Sequence, residues 1–317
     1  MNPASPPAES RIPIRQHWQI ALLSALLFSP LLIWVWLDRR YWPWDQADYG
    51  FASVYLGQLL LTDPAGWFQA MTSVLGYRAP GLPYLAQCAY VFGDTVGRIG
   101  PALLTVVVAM LMLGGAIVGM TVRSLCRLEV SLLAVLLIAA APVSLAMGQT
   151  FLVEAPQMAV VAALCGVMVK SPETPLHRLG LQVMLVGTVA MLFKVTSPVY
   201  CAGPGLLIAW IVARRMAESR REKPRHEWVR QDWVWLGVTG VVLFFGLLWY
   251  GKNGGTILEF IRLNTVDPAG EIYGSNQGVL RKFFLYWLPS VREGYFLPWV
   301  YWAGLAATVT AVLMAWL

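Results

Sequence analysis

Residues 18–50 read WQIALLSALLFSPLLIWVWLDRRYWPWDQADYG. Residues 18–37 carry no charge, and about 20 such residues in a helix cross the hydrocarbon core of a bilayer. Asp38, Arg39 and Arg40 follow at once, then the rings of Tyr41, Trp42, Trp44 and Tyr49. Tryptophan and tyrosine collect where chains leave hydrocarbon for headgroups. Asp45 and Asp48 therefore stand at a lipid boundary, where charge is costly. The whole chain agrees: 58% of its 317 residues are hydrophobic and 13% charged, against about 45–50% and about 25% in soluble domains.

Outward from that stretch, residues 1–17 are polar and proline-rich and read as a short disordered tail. They are no cleavable signal, because the apolar run behind them is full-length and no small-residue cleavage site closes it. Seven further spans are expected at about 99–122, 130–147, 153–169, 179–193, 197–213, 233–250 and 297 to the C-terminus. The fold class is thus an all-α polytopic membrane protein of eight spans, with one transmembrane domain over 18–317.

Arg11 and Arg15, Arg123 and Arg127, Lys170 and Arg178, and the segment RRMAESRREKPRHEWVR at 214–230 all fall on one side. Basic loops mark the cytoplasmic side, so the N-terminus is cytoplasmic. The net charge of +6 speaks for that orientation and against nucleic acid. Segments 38–98 and 251–296 become outer loops, and FASVYLGQLLL and LPYLAQCAYVFG in the first read as helices lying along the membrane surface. Cys88, Cys126, Cys165 and Cys201 show no metal or redox spacing. His17, His177 and His226 lie on the cytoplasmic side, which leaves outer-face chemistry to carboxylates, Arg, Lys and Tyr.

Four charged features share the outer face. Asp45 can cap a helix starting at Gln46, with Asp48 favoured by its dipole, or act as a general base; D-x-x-D also suits a divalent metal. Arg78 precedes Ala79 and Pro80, which favours an extended segment, and Pro83 suits the first turn of a following helix. Arg78 with that helix's free N–H groups forms an anion site, or Arg78 snorkels at the interface. Lys194 ends the fifth span, and Glu154 starts the fourth ahead of Pro156, where it also complements the helix dipole. Cations to neutralise phosphate and a carboxylate to activate an acceptor, at a lipid boundary, suit a substrate with a phosphate head and a hydrocarbon tail.

The order of WPWDQADYG, YRAPGLPYLAQCAYVFGDTVGRIG, FLVEAPQMAVVAAL and LFKVTSPVYCAGPGL resembles the GT-C superfamily of membrane glycosyltransferases. The likeness is to the branch of protein O-mannosyltransferases and the lipid A aminoarabinose transferase. It implies inverting transfer from a polyprenyl-phosphate sugar donor to a lipid, glycan or protein acceptor hydroxyl. It implies a bacterial inner membrane with the site on the periplasmic face; no cofactor is expected, D-x-x-D leaving a divalent metal as the alternative. By the same likeness Asp45 matches the catalytic aspartate, with Asp48 beside it. Arg78 and Lys194 match residues near donor phosphate, and Glu154 an acid at the outer end of the fourth span. Gln46 stands where the family has Glu, and Ala79 and Gly81 where it has parts of Pro-Pro-Leu. Tyr273, with Arg281 and Lys282, comes from the second outer loop as a residue orienting acceptor or sugar. Members carry more spans and often a soluble C-terminal domain, so the chain is expected to be truncated or to lack that module naturally. The competing classes are a transporter or flippase of a lipid-linked substrate and a non-catalytic scaffold. No P-loop or G-x-G-x-x-G marks a nucleotide site.

Overall fold

Apolar runs without access to water must bond their own backbone groups, and in a single segment only a helix does so. The computed structural model describes residues 12–38, 42, 44–219, 230–265, 302 and 306, and among them regular structure is helical throughout, with no strand. The first run forms α1 (Ile14–Leu37). It lays Ile20, Ser24, Phe28 and Leu31 against α5 (Ile99–Leu125), the helix around which the bundle is built. Ser24 Oγ donates to the Met112 carbonyl at 2.7 Å, and small residues of α5 admit α1 closely.

The expected first outer segment is helical. It forms α2 (Trp44–Thr62), α3 (Pro64–Met71) and α4 (Gly81–Thr95), with α2 and α4 packed together and α4 laid on α5. The surface-helix stretches thus lie in α2 and α4. Helix α2 starts at Trp44, so Asp45 sits inside its first turn and does not cap it.

The expected third span, 130–147, is broken. It forms α6 (Leu128–Ala140) and α7 (Pro142–Gly148), bent by 61°. Pro142 offers no N–H and pushes Ala141 to an extended backbone, φ −66° and ψ 128°. Then come α8 (Glu154–Lys170), α9 (Leu176–Phe193), α10 (Ser197–Ser219) and α11 (Arg230–Thr265).

Helix α11 also departs from expectation, passing the glycine-rich GKNGG at 251–255 where a loop was expected. Tertiary contacts outweigh weak helix propensity there. Trp249 Nε1 donates to the Val74 carbonyl at 3.1 Å, Tyr250 to Met191 at 2.7 Å and Asn253 Nδ2 to Thr72 at 2.9 Å.

Among the described residues four helices are long and apolar enough to cross a membrane: α1, α5, α9 and α11. The bent α6–α7 pair makes a fifth if taken as one span. The described residues are therefore all-α, and of membrane-spanning type by length and composition. The expected last span, at 297 to the C-terminus, lies outside the described residues except for Trp302 and Ala306.

Basic residues gather where one set of helix ends meets. Arg123 Nε donates to Gln16 at 2.7 Å, joining the end of α5 to the start of α1. Arg215 of α10 donates to the carbonyls of Ser171 and Thr174 at 2.8 and 2.6 Å, and Arg178 of α9 to Asp232 of α11 at 2.7 Å. The opposite helix ends carry the acidic stretch at residues 45–48.

Candidate functional site

Four separate segments bring charge to that opposite end. The first turn of α2 carries Asp45 and Asp48. Residues 72–80 run from α3 to α4 through turns, and Arg78 lies on their non-helical stretch before Pro80. Glu154 is the first residue of α8, with Pro156 in its first turn. Lys194 closes α9 in an extended conformation.

Arg78 reaches across α2 as a fork. Nη2 donates to Asp45 Oδ1 at 2.7 Å and Nη1 to Asp48 Oδ2 at 2.8 Å. Its guanidinium also lies 5.1 Å from the Tyr77 ring centroid, and that ring stacks on Phe260 of α11. Lys194 Nζ donates to Glu154 Oε1 at 3.0 Å. The other carboxylate oxygen of Glu154, Oε2, is buried and has no hydrogen-bond partner. The sequence put these residues on one face without pairing them; the structure pairs each cation with acid.

Packing ties the two pairs together. Gln46 Oε1 accepts from the Phe151 backbone N–H at 3.1 Å, which fastens the first turn of α2 to the segment just before Glu154. The Trp42 ring stacks on Phe151 at 4.9 Å. A β-carbon at Gly50 would sit 2.6 Å from the Trp42 ring, so only glycine lets the indole lie there. A β-carbon at Gly81 would sit 2.7 Å from the Leu192 carbonyl, so glycine lets α4 start against the end of α9, beside Lys194.

Tyr49 lies in the core between these parts, packed in one cluster with Leu82, Phe151, Val153 and Phe193. Burial pushes its phenol well above the usual tyrosine range. The charge of Arg78 opposes that shift, and Glu154, Asp45 and Tyr77 add to it. The two ion pairs are thus both within electrostatic reach of one side chain.

An apolar groove of about 540 Å³ starts at Glu154 and Lys194. It follows α8 past Gln157, Met158 and Val161 to Cys165, walled by α5 at Val118 and Val122 and by Tyr200 of α10. Eleven residues of helix separate Glu154 from Cys165, about 16 Å, or roughly half the hydrocarbon core. The arrangement is a charged head joined to a greasy channel.

Among the described residues no group of three or more His, Cys, Asp or Glu gathers as a metal site. Tyr273, Arg281, Lys282 and His226 lie outside the described residues. The sequence reading missed Gln46 as an anchor, Tyr77 as a support for Arg78, and Tyr49. Tyr49 stood in the opening stretch, one helical turn past Asp45 and so on its face, and that spacing was the available signal. No family model, curated protein or solved structure matches the chain.

Proposed function

We propose that the protein is a membrane glycosyltransferase of GT-C type. It moves a sugar from a polyprenyl-phosphate donor to an acceptor hydroxyl, with inversion. The reading places eight spans in a bacterial inner membrane, the N-terminus in the cytoplasm and the charged site on the periplasmic face. The observation that carries it is a pair of ion clusters drawn from four segments, Arg78–Asp45/Asp48 and Lys194–Glu154, both within electrostatic reach of Tyr49, with the second at the head of an apolar groove.

The pairs suggest an order of events. Arg78 is held by carboxylates until a phosphate arrives and competes for its planar fork. Transfer of Arg78 to phosphate releases Asp45. Asp45 then takes the proton of the acceptor hydroxyl, whose oxygen bonds the anomeric carbon from the face opposite the phosphate. The bond from that carbon to the phosphate oxygen breaks, and the electron pair stays on the phosphate. Arg78 and Lys194 stabilise the charge that grows there. Glu154 Oε2, buried and unpartnered, accepts from a sugar or acceptor hydroxyl, and Asp48 orients another. The prenyl chain lies in the groove along α8.

The test is sugar transfer by the purified protein, with a labelled polyprenyl-phosphate sugar and hydroxyl acceptors. The wild-type protein is expected to transfer label and Asp45→Asn to fail. Absence of transfer by the wild type across lipid-phosphate sugars would remove the proposal.

One observation favours the flippase reading: transporters use interrupted helices, and α6–α7 is bent by 61°. None of the four charged segments belongs to that pair, however. Movement of lipid-linked sugar across proteoliposomes without acceptor would support the flippase instead.

A further inference from the structure

Tyr49 lies in the hydrophobic core cluster yet brings a polar atom to it. Its side chain follows Asp48 directly and lies one turn beyond Asp45 on α2. The residue is only 7% exposed. Its cluster partners lead into every other part of the site: Val153 precedes Glu154, Phe193 precedes Lys194, and Leu82 lies four residues beyond Arg78. Arg78 and Asp45 of one ion pair and Glu154 of the other are within electrostatic reach of the phenol.

Among the described residues, nothing makes a hydrogen bond with the Tyr49 hydroxyl; the residue's hydrogen bond outside the helix ladder is to its backbone carbonyl, from Ser53 Oγ. The hydroxyl is also absent from the fully enclosed atoms that lack a hydrogen bond, such as Glu154 Oε2, so it is not sealed in. A phenylalanine would fill the same core without a polar atom to satisfy. The hydroxyl gains a purpose when a ligand supplies its partner.

The kind of partner follows from charge. Three carboxylates face two cations here, so an entering phosphate needs donors that bring no further acid. We infer that the Tyr49 hydroxyl donates a hydrogen bond to the phosphate of the lipid-linked donor, between Arg78 and Lys194. This rests on the lipid-phosphate reading of the site given above. Burial and the nearby acids keep the phenol protonated, so it serves as donor and not as base.

The experiment measures binding to purified wild-type protein and Tyr49→Phe in nanodiscs. The probes are a polyprenyl phosphate, the matching polyprenol without phosphate, and inorganic phosphate as competitor. Wild type is expected to bind the polyprenyl phosphate, and Tyr49→Phe to bind it about tenfold more weakly. Polyprenol binding is expected to be equal in the two proteins, and inorganic phosphate not to compete at concentrations matching the lipid. Equal affinity of both proteins for polyprenyl phosphate overturns the inference while leaving the lipid-phosphate reading intact. An equal loss for polyprenol overturns it too, by showing a packing effect. Competition by inorganic phosphate at matching concentration overturns the lipid-borne source. Failure of wild type to bind polyprenyl phosphate removes the underlying reading, and the inference with it.

Discussion

Two ion clusters stand at opposite ends of the bundle. At the basic end Asp232 of α11 is 1% exposed and meets Arg178 Nε at 2.7 Å and His177 Nε2 at 3.3 Å, both from α9. At the other end Arg78 meets Asp45 and Asp48 at similar distances, but those carboxylates are 59% and 54% exposed. Distance alone would call the two alike. Surroundings separate them. A buried pair cannot be opened without stranding a charge in a poor solvent, so it fixes α9 to α11. An open pair contributes little to stability and is readily exchanged for another anion. The first is a fastener, and the second, on the proposed reading, holds a cation in place for a ligand.

The largest effect that would break this contrast is on turnover. Asp45→Asn is expected to lower the rate of transfer by about 10²–10⁴-fold, the usual range for loss of a general base, with thermal unfolding in detergent unchanged. A lower unfolding temperature would make Asp45 a structural residue like Asp232. Next in size, Asp232→Ala is expected to cost about 3 kcal/mol of stability, read as earlier thermal or denaturant unfolding. A stability equal to wild type would show that burial does not distinguish the clusters. Arg78→Ala is expected to weaken polyprenyl-phosphate binding by about 30-fold, in the range of a charged hydrogen bond. Its stability change should stay under about 1 kcal/mol. The smallest effect concerns Gln46. Gln46→Ala removes the acceptor for Phe151 N–H and should cost about 1 kcal/mol, with a raised KM as α2 loosens from the segment before α8.

The fold was legible where one physical term dominates. Long uncharged runs marked α1, α5 and α9 almost to their ends, because a span is set by apolar length alone. It was less legible where local and tertiary terms compete. In 130–147 apolar content argued for one span, while Pro142 imposed a bend that composition does not register. In 251–255 glycines argued for a loop, while Trp249, Tyr250 and Asn253 were docked on α9 and residues 72–74.

The site divides the same way. Asp45, Arg78, Glu154 and Lys194 could be picked out because charge at a lipid boundary needs a reason. Their pairing could not be read, since residues 33 and 40 positions apart give no local signal of contact. Nor could the two-pronged pairing of Arg78, which depends on two carboxylates arriving from α2 together. Tyr49 was hidden for another reason: an aromatic at a membrane boundary is ordinary, and only its burial among Phe151, Val153 and Phe193 sets it apart.

A double-mutant cycle measures the convergence most directly. Polyprenyl-phosphate affinity is compared for wild type, Arg78→Ala, Lys194→Ala and the double variant. Two cations on one phosphate predict that each single change weakens binding and that the two losses fail to add, with a coupling of about 1 kcal/mol. Additive losses, or a single change without effect, would contradict a shared site for the phosphate.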